Sequence, residues 1–336
     1  MIREAIGKLV EGQSLSTEEA EAVMDEIMAG EATPAQIGGY LMALRMKGET
    51  VDEIVGSARA MRVRALKISS RHPLLVDTAG TGGDGVHTFN ISTVAALVAA
   101  GAGAHMAKHG NRAVSSRCGS ADLLQALGVN IEAPPERVRE CVDTLGIGFL
   151  FAPLHHGAMK HAIGPRRELG VRSIFNIMGP LTNPAGARAQ LIGVYDGRLT
   201  EVLARVLGAL GSHRALVVHG EDGMDEISIC APTRVAELAG GSVRNYTLAP
   251  EELGLRRAEP ESIRGGDIKE NARITLEVLS GKKGPQRDVV LLNAGAALYA
   301  GEIVSDLKEG IEASAEAIDS GAALKKLEGL KELTNR

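Results

Sequence analysis

At 336 residues and a net charge of −5, the chain is long enough for two domains and carries no global field that would draw a polyanion. Aromatics are only 2% of it and tryptophan is absent, so the core must be Ala, Val, Leu, Ile and Met, and the stacking used to hold single-stranded nucleic acid is excluded. A phosphate-binding site here has to be local.

Taken in chain order, the first sixty or so residues are helical by periodicity: Ile2, Ala5, Ile6 and Leu9 share a face, as do Ala20, Val23, Met24 and Ile27, then Val51, Ile54, Val55, Ala58 and Met61. Start signals agree. Ser16 to Glu19 and Thr50 to Glu53 read as capping boxes, and Thr33–Pro34 as a cap and first turn. The N-terminal "MIREAIGKLVEGQ" mixes acids into its apolar pattern, unlike a secretory leader. From Leu74 onward short apolar runs alternate with helices. The candidate strands are "LLV", "AHMA", "QLIGVY", "ALVVH", "ISIC" and "VVLLN"; helical segments include Ser120 to Leu127, Glu136 to Leu145 and Leu199 to Leu210. That alternation predicts an α/β domain with a largely parallel central sheet behind a small all-helical domain. The longest apolar stretch, Val94 to Ala107, contains glycines and a histidine and is too short to span a bilayer, which points to a soluble, cytoplasmic protein. Cys118, Cys141 and Cys230 show no metal spacing and read as scattered reduced thiols.

Chemistry concentrates where predicted strands end, the place ligands occupy in such sheets. After "LLV" comes "GTGGD", Gly80 to Asp84, whose glycines let backbone approach a ligand without a Cβ in the way. It has neither the dinucleotide nor the Walker spacing. "NIST", Asn90 to Thr93, opens the following helix; its hydroxyls serve as caps, phosphate donors or ligands of a hard cation. After "AHMA" comes "KHGNRAVSSRCGSAD", with positive charge at Lys108 and Arg112 and neutral donors at Asn111, Ser115, Ser116 and Ser120. The two loops together suit a ligand with several phosphates. Further on, His155, His156 and His161 lack a zinc-type arrangement. Arg166 and Arg167 follow Pro165 at a predicted helix start, where positive charge opposes the dipole, so one of them is expected to grip an anion. Asp225 and Glu226 in "HGEDGMDEI" are adjacent acids in a glycine-containing turn, either simply solvated or a magnesium pair.

In this order, "GTGGD", "NIST", "KHGNRAVSSRCGSAD", "RRELGVRSIFNIMGPLTNP" and "HGEDGMDEI" resemble the anthranilate phosphoribosyltransferase family, and the likeness runs to "LLNAGAALYA" near the end. The resemblance implies a nucleoside phosphorylase/phosphoribosyltransferase-like fold. Its helical domain would span 1–66, completed by helices from about 166–185; the phosphoribosyl pyrophosphate-binding α/β domain would span 67–165 and 186–336. It implies that Gly80, Gly83, Asp84, Thr88, Asn90, Ile91, Ser92, Thr93, Lys108, His109, Gly110, Asn111, Arg112, Ala113, Val114, Ser115, Ser116 and Ser120 contact the donor. Gly80, Asn111 and Arg166 would bind anthranilate, with His109 lining the passage, and Ser92, Asp225 and Glu226 would hold Mg2+. Gly157 stands where proline is expected and Ser173 where threonine is frequent, which puts only local loop shape in doubt.

The implied reaction gives N-(5-phosphoribosyl)anthranilate and pyrophosphate with inversion, the second step of tryptophan synthesis from chorismate. No general base is assigned; Lys108 and the metal stabilise charge on the departing pyrophosphate. A homodimer through the helical domain is expected, with no nucleic-acid or membrane partner. The competing readings are a pyrimidine nucleoside phosphorylase, which needs neither both acids nor an arginine for a benzoate, and a non-catalytic nucleic-acid-binding relative of the same fold, which the charge disfavours.

Overall fold

A computed structural model describes residues 1–113 and 117–336. Four helices come first: α1 (Ile2–Val10), α2 (Thr17–Ala29), α3 (Pro34–Lys47) and α4 (Val51–Arg64). The predicted caps are in place, with reciprocal boxes at Ser16/Glu19, Thr33/Gln36 and Thr50/Glu53. Glu53 is fully buried yet satisfied, taking the N–H groups of Leu15 and Thr50 and pairing with Lys47 Nζ at 3.0 Å. A buried carboxylate survives only with that degree of pairing.

The chain then runs β1 (Val76–Gly80), α5 (Ile91–Gly101), β2 (Met106–Gly110), α6 (Ser120–Ala126), α7 (Pro135–Glu140), β3 (Ile147–Phe151) and α8 (Ala152–His155). Next come α9 (Lys160–Leu169), α10 (Phe175–Leu181), β4 (Ala189–Gly193), α11 (Leu199–Ala209), β5 (Arg214–Gly220), β6 (Thr233–Ala239) and β7 (Ser242–Leu248). Four helices, α12 (Ile268–Leu279), α13 (Pro285–Ala300), α14 (Leu307–Asp319) and α15 (Ala322–Thr334), complete it. Among the described residues the strands form one seven-stranded sheet in the order β3-β2-β1-β4-β5-β6-β7. Pairing is parallel from β3 across to β5; β6 and β7 are antiparallel. The chain therefore builds outward from β1 on one side, then returns to pair β4 on the other. That reversal opens a crevice at the carboxyl end of β1, where ligands of open α/β sheets bind.

Helix α9 packs on α2 and α3, and α10 reaches α4, β1 and β2, so the segment between β3 and β4 leaves the sheet to join the helical bundle. One continuous apolar core unites the bundle (Val23, Met24, Ile27, Leu41) with α10 (Ile177, Met178), α11 (Leu203, Leu207) and one sheet face (Ile192, Val217). Arg62 of α4, half-buried at this seam, donates to the Leu181 carbonyl at 2.6 Å and the Leu210 carbonyl at 3.1 Å.

Two predicted strands are not strands. "VVLLN" lies inside α13, which opens on Pro285 and is buried on nearly every side, and periodicity cannot separate an enclosed helix from an enclosed strand. "ISIC" is irregular: the Ser228 hydroxyl takes the N–H groups of Cys230 and Ala231, leaving no ladder to join. Conversely, β3, β6 and β7 are strands absent from the sequence reading.

Candidate active site

The "GTGGD" loop leaves the crevice end of β1. Gly82, Gly83 and Gly85 have φ of +67°, +75° and +78°, a backbone region that only glycine occupies cheaply. Gly80, still in β1, faces Asp225: a Cβ there would sit 3.0 Å from the carboxyl carbon. Asp225 Oδ2 accepts the Gly82 N–H at 2.8 Å. One residue on, Glu226 Oε1 accepts the Ser92 N–H at 3.1 Å at the start of α5. Lys108, on β2 and 3% exposed, donates from Nζ to the Thr78 carbonyl and to Ser92 Oγ at 3.4 Å. Residues far apart in sequence thus converge at the ends of neighbouring strands.

The electrostatics are those of buried acids short of counter-charge. Burial pushes the Asp225 and Glu226 carboxyls well above the ordinary range, and repulsion from Asp84 on Asp225 and from Asp225 on Glu226 adds to it. Burial pulls the Lys108 ammonium down, opposed by Asp77 and Glu226. Among the described residues no three His, Cys, Asp or Glu side chains form a ready metal cage. Mg2+ needs none, since it takes one or two carboxylates and fills its shell with water and phosphate oxygens. The hard oxygens of Asp225, Glu226 and Ser92 fit that demand, and a divalent charge would relieve their mutual repulsion.

What aims these acids was not legible in sequence. Asn293, in the helix misread as a strand, brackets the turn, accepting the Ile227 N–H at 3.0 Å and donating to the Ile227 carbonyl at 2.9 Å. Gly193, paired with Gly80 across β1 and β4, leaves room for the Asp225 backbone, which a Cβ there would overlap. Fully buried Asp77 accepts from the His109 N–H at 3.1 Å and Asn183 Nδ2 at 2.7 Å, tying β1 to β2 and to the segment after α10.

The remaining residues divide. Asn90 donates to the Cys118 carbonyl at 3.0 Å, but its Oδ1 and the Thr93 hydroxyl are buried without partners among the described residues. Ile91 is core, and Thr88 bridges to Arg264. After β2, the Asn111 carbonyl takes the Ser120 hydroxyl at 3.2 Å, and Gly110 lies close against that hydroxyl. Asp122 accepts the Ala113 N–H at 2.9 Å. Arg112 is engaged with Asp122 at 3.0 Å and Gln125 at 2.9 Å, which competes with any anion. Val114, Ser115 and Ser116 lie outside the described residues.

The dipole reasoning on Arg166 is overturned. Pro165 lies inside α9, so Arg166 and Arg167 occupy its last turn, where positive charge complements the dipole. Arg166 lies over the Phe175 ring at 5.1 Å and has no carboxylate partner among the described residues. No hydrogen bond joins it to Asn111 or Gly80 there. His109 and His156 are tilted against each other at 5.1 Å and are buried with Nε2 unpartnered. Burial holds both neutral, lowering His109 to about 3 and His156 to about 4.

A helical bundle packed against a sheet whose strand-end loops gather glycines, hydroxyls and acids is the architecture of a two-domain glycosyl transferase. Residues 3–65 match the family model described as the helical bundle domain of the glycosyl transferase family, and residues 72–324 match its a/b domain. An anthranilate phosphoribosyltransferase of Symbiobacterium thermophilum is 60% identical over 98% of this chain and 96% of its own. The crystal structure of that enzyme from Thermus thermophilus is 48% identical, with TM-score 0.94 over 99% of both chains. The Saccharomyces cerevisiae enzyme, solved in complex with phosphoribosyl pyrophosphate and Mg, is 30% identical with TM-score 0.91 over 99% of this chain and 98% of its own. It has also been solved with 4-fluoroanthranilate, at TM-score 0.89 and 29% identity over 99% of this chain and 97% of its own. The chain belongs to the anthranilate phosphoribosyltransferase family.

Proposed function

We infer that this chain transfers the phosphoribosyl group of 5-phosphoribosyl 1-pyrophosphate to the amine of anthranilate. The products are N-(5-phosphoribosyl)anthranilate and pyrophosphate. The observation that carries this reading is the convergence of the Gly80–Asp84 loop, Ser92, Lys108, Asp225 and Glu226 at the ends of β1, β2 and β5.

Breaking the anomeric bond leaves extra negative charge on pyrophosphate and positive charge on the ribose. Loop N–H groups beyond those of Thr81 and Gly82, which Gly193 and Asp225 hold, and the Lys108 ammonium would face the first, in place before reaction, where such donors contribute most. Ser92, Asp225 and Glu226 would hold Mg2+, which supplies further compensation for the phosphate charge. The unpartnered Asn90 Oδ1 and Thr93 hydroxyl at the start of α5 would find partners in the donor. On the other side, Arg166 would take the anthranilate carboxylate, with Asn111, Gly80 and the unpartnered Nε2 atoms of His109 and His156 on the same passage. The arylamine is already a usable nucleophile, so holding it in line with the anomeric carbon replaces a strong base.

The helical domain would pair two copies; Val10, Met46 and Val63 are 74%, 83% and 69% exposed there. Among the described residues no helix is long and apolar enough to cross a membrane. A phosphorylated substrate and product support a cytoplasmic location. The test is loss of anthranilate fluorescence on adding phosphoribosyl pyrophosphate, abolished by a chelator and restored by Mg2+; loss that ignores the chelator removes Asp225 and Glu226 from the mechanism.

A further inference from the structure

The phosphate loop is gripped at two residues. Asp225 holds the Gly82 N–H from the β5 side. One residue on, Arg172, in the segment joining α9 to α10, donates from Nη2 to the Gly83 carbonyl. Its guanidinium lies over Tyr195 with Cζ 4.0 Å from the ring centroid, and no acid pairs with it among the described residues. The fit is close: a Cβ on Gly83 would meet Nη2 at 3.3 Å.

Among the described residues the Gly83–Asp84 peptide has no other hold on its carbonyl. It follows two residues in the left-handed region, Gly82 and Gly83, where rotation of a peptide plane meets little steric resistance. In a trans peptide the carbonyl and the next N–H point to opposite sides. Fixing the Gly83 carbonyl therefore fixes the direction of the Asp84 N–H, and with it the entry of the Asp84 carboxylate that faces Asp225. Arg172 stands six residues after Arg166 on the same connection, so one segment serves both ends of the crevice.

We propose that Arg172 is a positioning residue: its guanidinium, stacked on Tyr195, locks the Gly83–Asp84 peptide so that the Asp84 N–H is presented to the pyrophosphate of the donor. This rests on the function inferred above. Loss of the lock acts on donor binding and leaves the aromatic-acid pocket alone.

The test compares full-length wild type, Arg172→Ala and Arg172→Lys. Arg172→Ala raises KM for phosphoribosyl pyrophosphate by about tenfold to a hundredfold, the worth of a charge-assisted hydrogen bond, while KM for anthranilate stays within about twofold. Titration of Mg2+ and inorganic pyrophosphate into each protein, read by calorimetry, shows the same loss without turnover. Arg172→Lys, which keeps a donor but not the stack, recovers part of it, and millimolar free guanidinium restores donor affinity to Arg172→Ala. Equal shifts in both Michaelis constants, an unchanged donor constant, or loss of melting temperature with no guanidinium rescue each overturn the proposal. Wild type without turnover on the two substrates sinks the functional reading instead; wild-type turnover with an indifferent Arg172→Ala sinks only this one.

Discussion

Gly193→Ala separates the site's geometry from its chemistry, because Gly193 carries no functional group. It ends β4 opposite Gly80, and its carbonyl accepts the Thr81 N–H at 2.9 Å. An added Cβ would overlap the Asp225 carbonyl and sit 3.1 Å from Asp225 Cα. Carbon and oxygen need about 3.5 Å, so the turn must retreat on the order of 1–2 Å. A 1 Å misplacement of reacting groups costs about 10²-fold, so kcat/KM for phosphoribosyl pyrophosphate should fall by about 10²-fold or more and half-maximal Mg2+ should rise. The assay follows anthranilate fluorescence against Mg2+ and donor, with little background because the chain has no tryptophan. Gly7→Ala is the control: nothing lies within 4 Å of its Cβ, and an alanine in mid-helix adds about 0.5–1 kcal/mol of stability without touching activity. Near-native turnover and Mg2+ demand in Gly193→Ala would refute the claim that this glycine seats the acidic turn.

Arg166→Ala should raise KM for anthranilate by about tenfold or more and leave the donor constant nearly unchanged; steady-state kinetics with each substrate varied decide it, and equal effects would remove Arg166 from its role. Asn183→Leu should cost about 3 kcal/mol in urea unfolding, because it strips a donor from the buried Asp77 carboxylate and from the Ala107 carbonyl. Stability should also fall in acid. His109 and His156 are held near 3 and 4 in the fold, below the 6.5 of a free imidazole. The unfolded chain therefore takes up protons the folded chain refuses. Stability is intact above about pH 6.5 and drops toward pH 4, by about 2 kcal/mol per histidine at pH 5, read as the urea midpoint against pH.

Much of the candidate site was legible because glycines and hydroxyls at strand ends are written locally: "GTGGD" and "NIST" need only their own spacing to be noticed. The supporting residues were not. Asn293 looks like the end of an apolar strand until its helix is seen, and Gly193 looks like any strand glycine until a turn from more than thirty residues away presses on it. The dipole argument on Arg166 failed for a related reason. Proline marks a helix start often enough that Pro165 displaced the true start at Lys160, inverting the dipole argument while leaving the arginine itself in place. The edge strand β7 was lost because it is largely exposed and presents no apolar run.

The single hydrophobic interior shared by the bundle, α11 and one face of the sheet makes the two family-model segments one thermodynamic body. Excising the first 66 residues would strip the cover from Ile192, Val217 and Leu207 and leave Arg62's two carbonyl partners bare. Pieces that genealogy treats as separable modules should melt together in one calorimetric peak, and hinge movement in this enzyme must slide along a greasy contact instead of parting it.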